Sequence, residues 1–202
     1  LTVASPFLTL RTNNQLNLLK YNIKMAQEIN WADIYAKLPY QRTEEDKARR
    51  KDLFKRMDNG NGVLSLAEVD KAVRDILQLD GIFNAKPAIM RAFQDAKDKG
   101  ASKRSNADDY LEFRELRYFF YSLRQYFEYY VAFKRVDTDN DNRLTLAEFA
   151  NQKEMIEKWV GKIDAEAEFK TIDTNNGGTI LFDEFCKWAI KKSLDLEDDD
   201  DA

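Results

Sequence analysis

Asp137-Thr138-Asp139-Asn140-Asp141-Asn142-Arg143-Leu144-Thr145-Leu146-Ala147-Glu148 places acidic side chains at the first, third, fifth and twelfth positions of a twelve-residue stretch. Ca²⁺ takes six to eight hard oxygen ligands, and a loop of this length supplies them from positions 1, 3, 5, 7, 9 and 12. Asp137, Asp139 and Asp141 give the first three carboxylates. Arg143 offers its backbone carbonyl, Thr145 can hold or orient a water, and Glu148 closes the set in bidentate fashion. Position 6 needs a left-handed backbone, where glycine is usual. Asn142 stands there, and asparagine is the next-best residue for that conformation. Leu144 at position 8 suits a short β-bridge to a partner loop, while Phe133, Val136 and Phe149 provide apolar faces for flanking helices. The stretch reads as a calcium-binding helix–loop–helix hand, an EF-hand.

Outward from this loop an internal repeat appears. Phe54-Lys55-Arg56-Met57-Asp58 recurs as Phe133-Lys134-Arg135-Val136-Asp137, and Leu64-Ser65-Leu66-Ala67-Glu68 recurs as Leu144-Thr145-Leu146-Ala147-Glu148. The first pair is offset by 79 residues and the second by 80, so the earlier loop is one residue short. Counting back from Glu68 puts Met57 at position 1. Counting forward from Asp58 leaves Gly60 and Gly62 where ligands belong. This first loop keeps the shape of a hand but not its metal chemistry.

A fourth loop follows at the spacing expected of a paired hand: Asp173-Thr174-Asn175-Asn176-Gly177-Gly178-Thr179-Ile180-Leu181-Phe182-Asp183-Glu184. Asp173, Asn175, the Thr179 carbonyl and Glu184 occupy ligand positions, Gly178 the sharp turn and Ile180 the bridge. Gly177 and Leu181 give no side-chain oxygen, so water fills those vertices and the carboxylates fall to two. Fewer charged ligands mean weaker binding than at the third loop. The second unit, Phe93–Phe113, retains Glu112 at its closing end. It has no twelve-residue ligand register, because a basic stretch, Ser102–Asn106, follows Gly100. It is expected to be a structural hand that covers the apolar face of the first.

Composition narrows the functional classes. The chain has 202 residues, 44% hydrophobic and 34% charged, enough for a real core. Its net charge of −4 argues against a nucleic-acid binder. The absence of histidine excludes imidazole catalysis and His-ligated zinc. Cys186 is the single cysteine, so no intrachain disulfide can form and a reducing, intracellular compartment is the simpler reading. No apolar run reaches the length of a spanning helix. The carboxylates are accounted for as ligands and no nucleophile lies beside a base, so an enzyme is not expected.

Charge is uneven. Residues 1–57 carry 11 Lys/Arg against 6 Asp/Glu. The surplus lies within 42–56, at Arg42, Lys47, Arg49, Arg50, Lys51, Lys55 and Arg56, and is either a solvated helix face or a surface for anionic lipid or an acidic protein. Thr43, followed by Glu44, Glu45 and Asp46, marks a helix start that should run to Met57. Pro39 closes a short helical segment, Trp31–Leu38. Tyr110–Phe133 holds 11 aromatics in 24 residues, read as packed core and lobe contact rather than as a groove for a partner helix.

With these motifs in place, the chain resembles the flagellar calcium-binding proteins (calflagins) of flagellated protozoa over residues 31–190. The resemblance rests on the Trp-bearing helix before Leu-Pro, Ala-Arg-Arg-Lys-Asp-Leu-Phe-Lys-Arg (48–56) and Leu-Gln-Leu-Asp (77–80). It rests further on Ala92-Phe93 with Asp95-Ala96-Lys97, Leu111-Glu112-Phe113-Arg114, and Phe182-Asp183-Glu184-Phe185 with Trp188-Ala189. It implies metal in the C-terminal lobe and calcium-dependent association with the flagellar membrane through N-terminal acylation plus basic residues. Two departures stand: the first residues carry no acylation motif, and the first loop is shortened.

The expected architecture is all-α, with two lobes of paired EF-hands bridged by short β-contacts and the first two hands degenerate. Residues 1–38 form an arm with a short helix, 39–122 the degenerate pair, 123–194 the calcium-binding pair and 195–202 an acidic tail. The expected role is a calcium sensor of the flagellum, cilium or cytoplasm, acting on a protein target, axonemal or cytoskeletal, or on anionic membrane. A structural ciliary component and a calcium buffer are the alternatives.

Overall fold

The computed structural model describes residues 29–100 and 109–194. The expected arm over most of 1–30, the stretch Ser102–Asn106 and the acidic tail lie outside the described residues. Helix α1 (Trp31–Lys37) starts on Asn30, whose side chain accepts the Asp33 N–H at 3.0 Å. Helix α2 (Glu44–Met57) starts on Thr43, whose hydroxyl accepts the Asp46 N–H at 3.2 Å. Two arginines of α2 stitch the segments together. Arg49 donates to the Ala36 carbonyl at 2.6 Å, and Arg50 to the carbonyls of Pro39 and Gln41 at 2.9 and 2.8 Å. Arg50 is buried, so it belongs to the interior and drops out of the basic surface read from the sequence.

Each pair of hands is joined as the spacing predicted. β1 (Leu64–Ser65) runs antiparallel to β2 (Tyr110–Leu111), with Leu64 opposite Leu111. β3 (Leu144–Thr145) pairs likewise with β4 (Thr179–Ile180), with Leu144 opposite Ile180. All four of these apolar residues are fully buried, because position 8 points its side chain into the core beneath the loops.

The first hand continues into α3 (Leu66–Asp75). A short α4 (Asp80–Phe83) then leads to α5 (Lys86–Gly100), the incoming helix of the second hand. In the second pair, α7 (Leu146–Asn151) and α8 (Lys153–Val160) are separated at Gln152, then α9 (Ala165–Ile172) and α10 (Phe182–Lys192) frame the fourth loop.

The aromatic-rich stretch is the single helix α6 (Leu116–Val136), which leaves the second hand and enters the third. It runs straight through 122/123, where the sequence suggested a lobe boundary. The apolar faces of such a helix have to be enclosed, and Phe119, Phe120, Leu123, Val131, Phe133 and Val136 are almost completely buried, while Tyr121 stays exposed. Ala88, Ala92 and Ala96 on α5, spaced at one turn and fully buried, let that helix come close, and Ser122 hydrogen-bonds Asp95 between the two. Phe182 of α10 meets Tyr130 and Phe133 edge-on, with ring centroids 5.7 and 5.6 Å apart. Arg91 of α5 pairs with Asp183 at 3.4 Å. One core therefore serves both pairs of hands.

Candidate metal centre

The third loop begins where α6 ends. Asp137 closes that helix by donating its N–H to Phe133 at 2.9 Å, and its carboxylate is buried. The loop then folds around the carboxylates. Asp137 Oδ1 accepts from the Asp141 N–H at 3.2 Å and Oδ2 from the Asn142 N–H at 3.1 Å. Asp139 Oδ1 accepts from Asp141 at 3.1 Å, and Asp141 Oδ1 from Arg143 at 2.8 Å. This wrapping requires left-handed backbone at Asn140 (φ 62°) and Asn142 (φ 67°), which explains asparagine at position 6.

The result brings carboxylate oxygens of Asp137, Asp139 and Asp141 within 4.8 Å of one another. Unit charges this close repel by about 1 kcal/mol per pair even in water. A hard divalent cation relieves that repulsion, and the all-oxygen donor set fits calcium. Arg143 is exposed at position 7, directly before β3.

Glu148 is tied down at both oxygens. Oε2 accepts from the Thr145 N–H at 2.9 Å and hydroxyl at 2.8 Å, completing a reciprocal cap at the start of α7. Oε1 accepts from the Thr138 N–H at 3.0 Å, its hydroxyl at 3.1 Å and the Asp139 N–H at 3.3 Å. The closing glutamate thus clasps the opening of its own loop. Thr145, expected to hold or orient a water, gives its hydroxyl to this cap instead. Burial alone raises the Glu148 pKa, but hydrogen bonds from Thr145, Asp139 and Thr138 outweigh it and hold the group below the usual range.

The fourth loop repeats the design with fewer charges. Asp173 accepts from the N–H groups of Gly177 and Gly178, both at 2.9 Å, and Gly178 has φ 77°. Glu184 accepts from the Thr174 hydroxyl at 2.9 Å, the Asn175 N–H at 3.2 Å and the Leu181 N–H at 3.0 Å. Leu181 has no hydroxyl to return the bond, so only the carboxylate half of the cap exists. A side chain at Gly177 would begin 2.5 Å from Asn175 Oδ1, so one there requires the Asn175 side chain to move. Thr179 sits in β4 opposite Thr145.

The first loop holds the same form through hydrogen bonds among its own groups. Asp58 Oδ1 accepts from Gly60, Asn61 and Gly62 at 2.8, 3.0 and 3.2 Å. Glu68 accepts from Asn59 at 3.0 Å and from the Ser65 N–H and hydroxyl at 2.8 and 2.7 Å. Its clasp is the same, with Gly60 and Gly62 standing where the third loop carries Asp139 and Asp141.

Sequence reasoning passed over Lys134. It lies three residues before Asp137 in α6, its side chain 2% exposed, and donates to Asp137 Oδ2 at 2.7 Å and to Asn140 Oδ1. The equivalent Lys55 and Lys170 are exposed, so the repeated Phe-Lys pair gave no sign of it. For Asp137, burial pushes the pKa up more strongly than Lys134 and the Asn142 N–H pull it down.

Helix–loop–helix units paired through β-bridges, with two loops presenting oxygen ligands, define an EF-hand calcium-binding protein. Residues 34–123 match the FCaBP EF-hand domain family, and residues 127–190 the EF-hand domain pair. Flagellar calcium-binding protein TB-17 of Trypanosoma brucei brucei is 37% identical over 179 residues, covering 87% of this chain and 77% of that protein. The Trypanosoma cruzi flagellar calcium-binding protein is 32% identical over 175 residues, covering 85% and 83%. TB-44A of T. brucei brucei is 39% identical over 183 residues, and this chain spans 44% of its length. The chain belongs to the flagellar calcium-binding protein family.

Proposed function

We propose that this chain is a calcium sensor of the flagellum, with metal held by the third loop through Asp137, Asp139, Asp141, the Arg143 carbonyl and Glu148. The fourth loop holds a second ion more weakly through Asp173, Asn175, the Thr179 carbonyl and Glu184. The observation that carries this reading is the clasp. Bidentate coordination draws the Glu148 and Glu184 oxygens away from the N–H and hydroxyl groups of residues 138, 139, 174 and 175. Each glutamate sits in the first turn of its outgoing helix, so moving the carboxylate re-aims that helix. The flagellar setting comes from the names of its relatives.

The surface expected to change lies around Phe169, Ile172, Phe185, Trp188 and Ile190. Trp188 packs against Phe185 and Phe149 at centroid distances of 5.3 and 6.0 Å, and its indole N–H donates to Glu168 at 2.7 Å. Calcium should therefore shift tryptophan emission, through Trp188 and Trp159, and increase binding of an apolar dye. Calcium binding without either change would make the chain a buffer. A partner retained equally with and without calcium would make it a structural component.

The target is a flagellar protein or anionic membrane. For the membrane, the exposed basic face reduces to Arg42, Lys47, Lys51, Lys55 and Arg56, with Arg49 half-buried. Calcium-dependent binding to vesicles containing anionic lipid supports a membrane target, and its absence leaves the protein target.

A further inference from the structure

We infer that Lys134 is a built-in rival to calcium at the third loop, lowering the affinity of the cage that has the most carboxylates. This rests on the reading of that loop as a metal site.

An ammonium this deeply buried needs a counter-charge and hydrogen-bond acceptors. Lys134 finds them inside the loop: the position-1 carboxylate at 2.7 Å and the Asn140 side-chain oxygen. Asp137 is itself fully enclosed, its side chain 0% exposed. Calcium in the cage would thus share the position-1 carboxylate with a tethered cation. If the ammonium stays, the two positive charges repel across one carboxylate. If it leaves, a buried ion pair and the bond to Asn140 are broken. Both routes weaken calcium binding.

The fourth loop provides the internal comparison. Lys170 occupies the same place before Asp173 but is exposed, and Asp173 accepts from the backbone N–H groups of Gly177 and Gly178. Counting carboxylates makes the third loop much the tighter site. Lys134 narrows that gap.

The test is calorimetric titration of calcium chloride into chelator-treated full chain, comparing wild type with Lys134→Met, Lys134→Arg and Lys170→Met. Circular dichroism checks each fold, and Lys134→Gln replaces Lys134→Met if the latter does not fold. Lys134→Met is expected to bind calcium at the third loop about tenfold more tightly, the scale of a water-screened repulsion between a monovalent and a divalent cation a few ångströms apart. Lys134→Arg should keep the wild-type affinity, and Lys170→Met should leave the fourth loop unchanged. Unchanged or weaker binding in Lys134→Met overturns the rivalry and makes Lys134 a brace for the loop. Wild type whose binding heat is insensitive to Glu148→Gln instead sinks the assignment of the site itself.

Discussion

Glu148→Gln separates two tasks performed by one carboxylate. In this structure its two oxygens accept from five donors: the N–H and hydroxyl of Thr138, the Asp139 N–H, and the N–H and hydroxyl of Thr145. Glutamine keeps a single acceptor oxygen, so either the clasp to residues 138–139 or the cap at Thr145 is lost. Hydrogen bonds to a charged group contribute about 1.5–3 kcal/mol each when buried, and less where water can replace them. The donors here are partly buried, and removing the charge also relieves its repulsion with Asp137. Urea unfolding in chelator should therefore show a net loss of about 1–2 kcal/mol. In the metal complex the substitution removes one coordinating oxygen and a full negative charge. Affinity at the third loop should fall at least tenfold, about 1.4 kcal/mol. Calorimetry and urea unfolding with and without calcium measure both effects. Unchanged affinity would refute Glu148 as position 12, and unchanged stability in chelator would refute the clasp.

Further outcomes are specific to single residues. Gly177→Asp adds a third carboxylate to the fourth loop. Its only close contact is the movable end of Asn175, so calcium affinity there should rise, and a titration showing no gain would contradict the ligand register. Phe133→Ala empties the place where the ring meets Phe182 and Phe185, and chemical denaturation should register a loss of about 3–5 kcal/mol.

For Glu68, burial raises the pKa but is outweighed by hydrogen bonds from Ser65 and Asn59, so the folded value lies below the ordinary one. Its stabilising contribution is complete above the unfolded pKa and is lost as pH falls through the folded value. The stability difference between wild type and Glu68→Gln should accordingly shrink below about pH 4. Charge reversal at Lys47, Lys51 and Lys55 should weaken binding to anionic vesicles if a membrane is the target. Arg50→Ala should instead lower stability, since its guanidinium holds the Pro39 and Gln41 carbonyls.

The loops were legible because coordination dictates residue types at fixed intervals. Asp137, Asp139, Asp141 and Glu148 had to be oxygen donors, Asn142 and Gly178 had to reach left-handed backbone, and Leu144 and Ile180 had to face inward. The helix start at Thr43 was readable for a similarly local reason, a hydroxyl cap with acids in the first turn. What escaped depends on contacts distant in sequence. Arg50 sits in a run that reads as solvated, and only the approach of the Pro39 turn buries it. Aromatic density marked 110–133 as core, but it did not reveal one helix serving two hands. Lys134 looks like its counterparts in the other repeats until burial of the last turns of α6 leaves its chain the loop as its partner. The clasp by Glu68, Glu148 and Glu184 uses the same carboxylates that the ligand pattern requires, so one role masked the other.

The most direct test is a crystal structure of the full chain grown in saturating calcium. The account predicts an ion enclosed by Asp137, Asp139, Asp141, the Arg143 carbonyl and Glu148, and a second between Asp173, Asn175, the Thr179 carbonyl and Glu184. Both glutamates should be turned away from their clasps, and the Asp58–Glu68 loop should hold no ion. Glu148 still bound to Thr138 and Asp139, with no ion among the three aspartates, would contradict it.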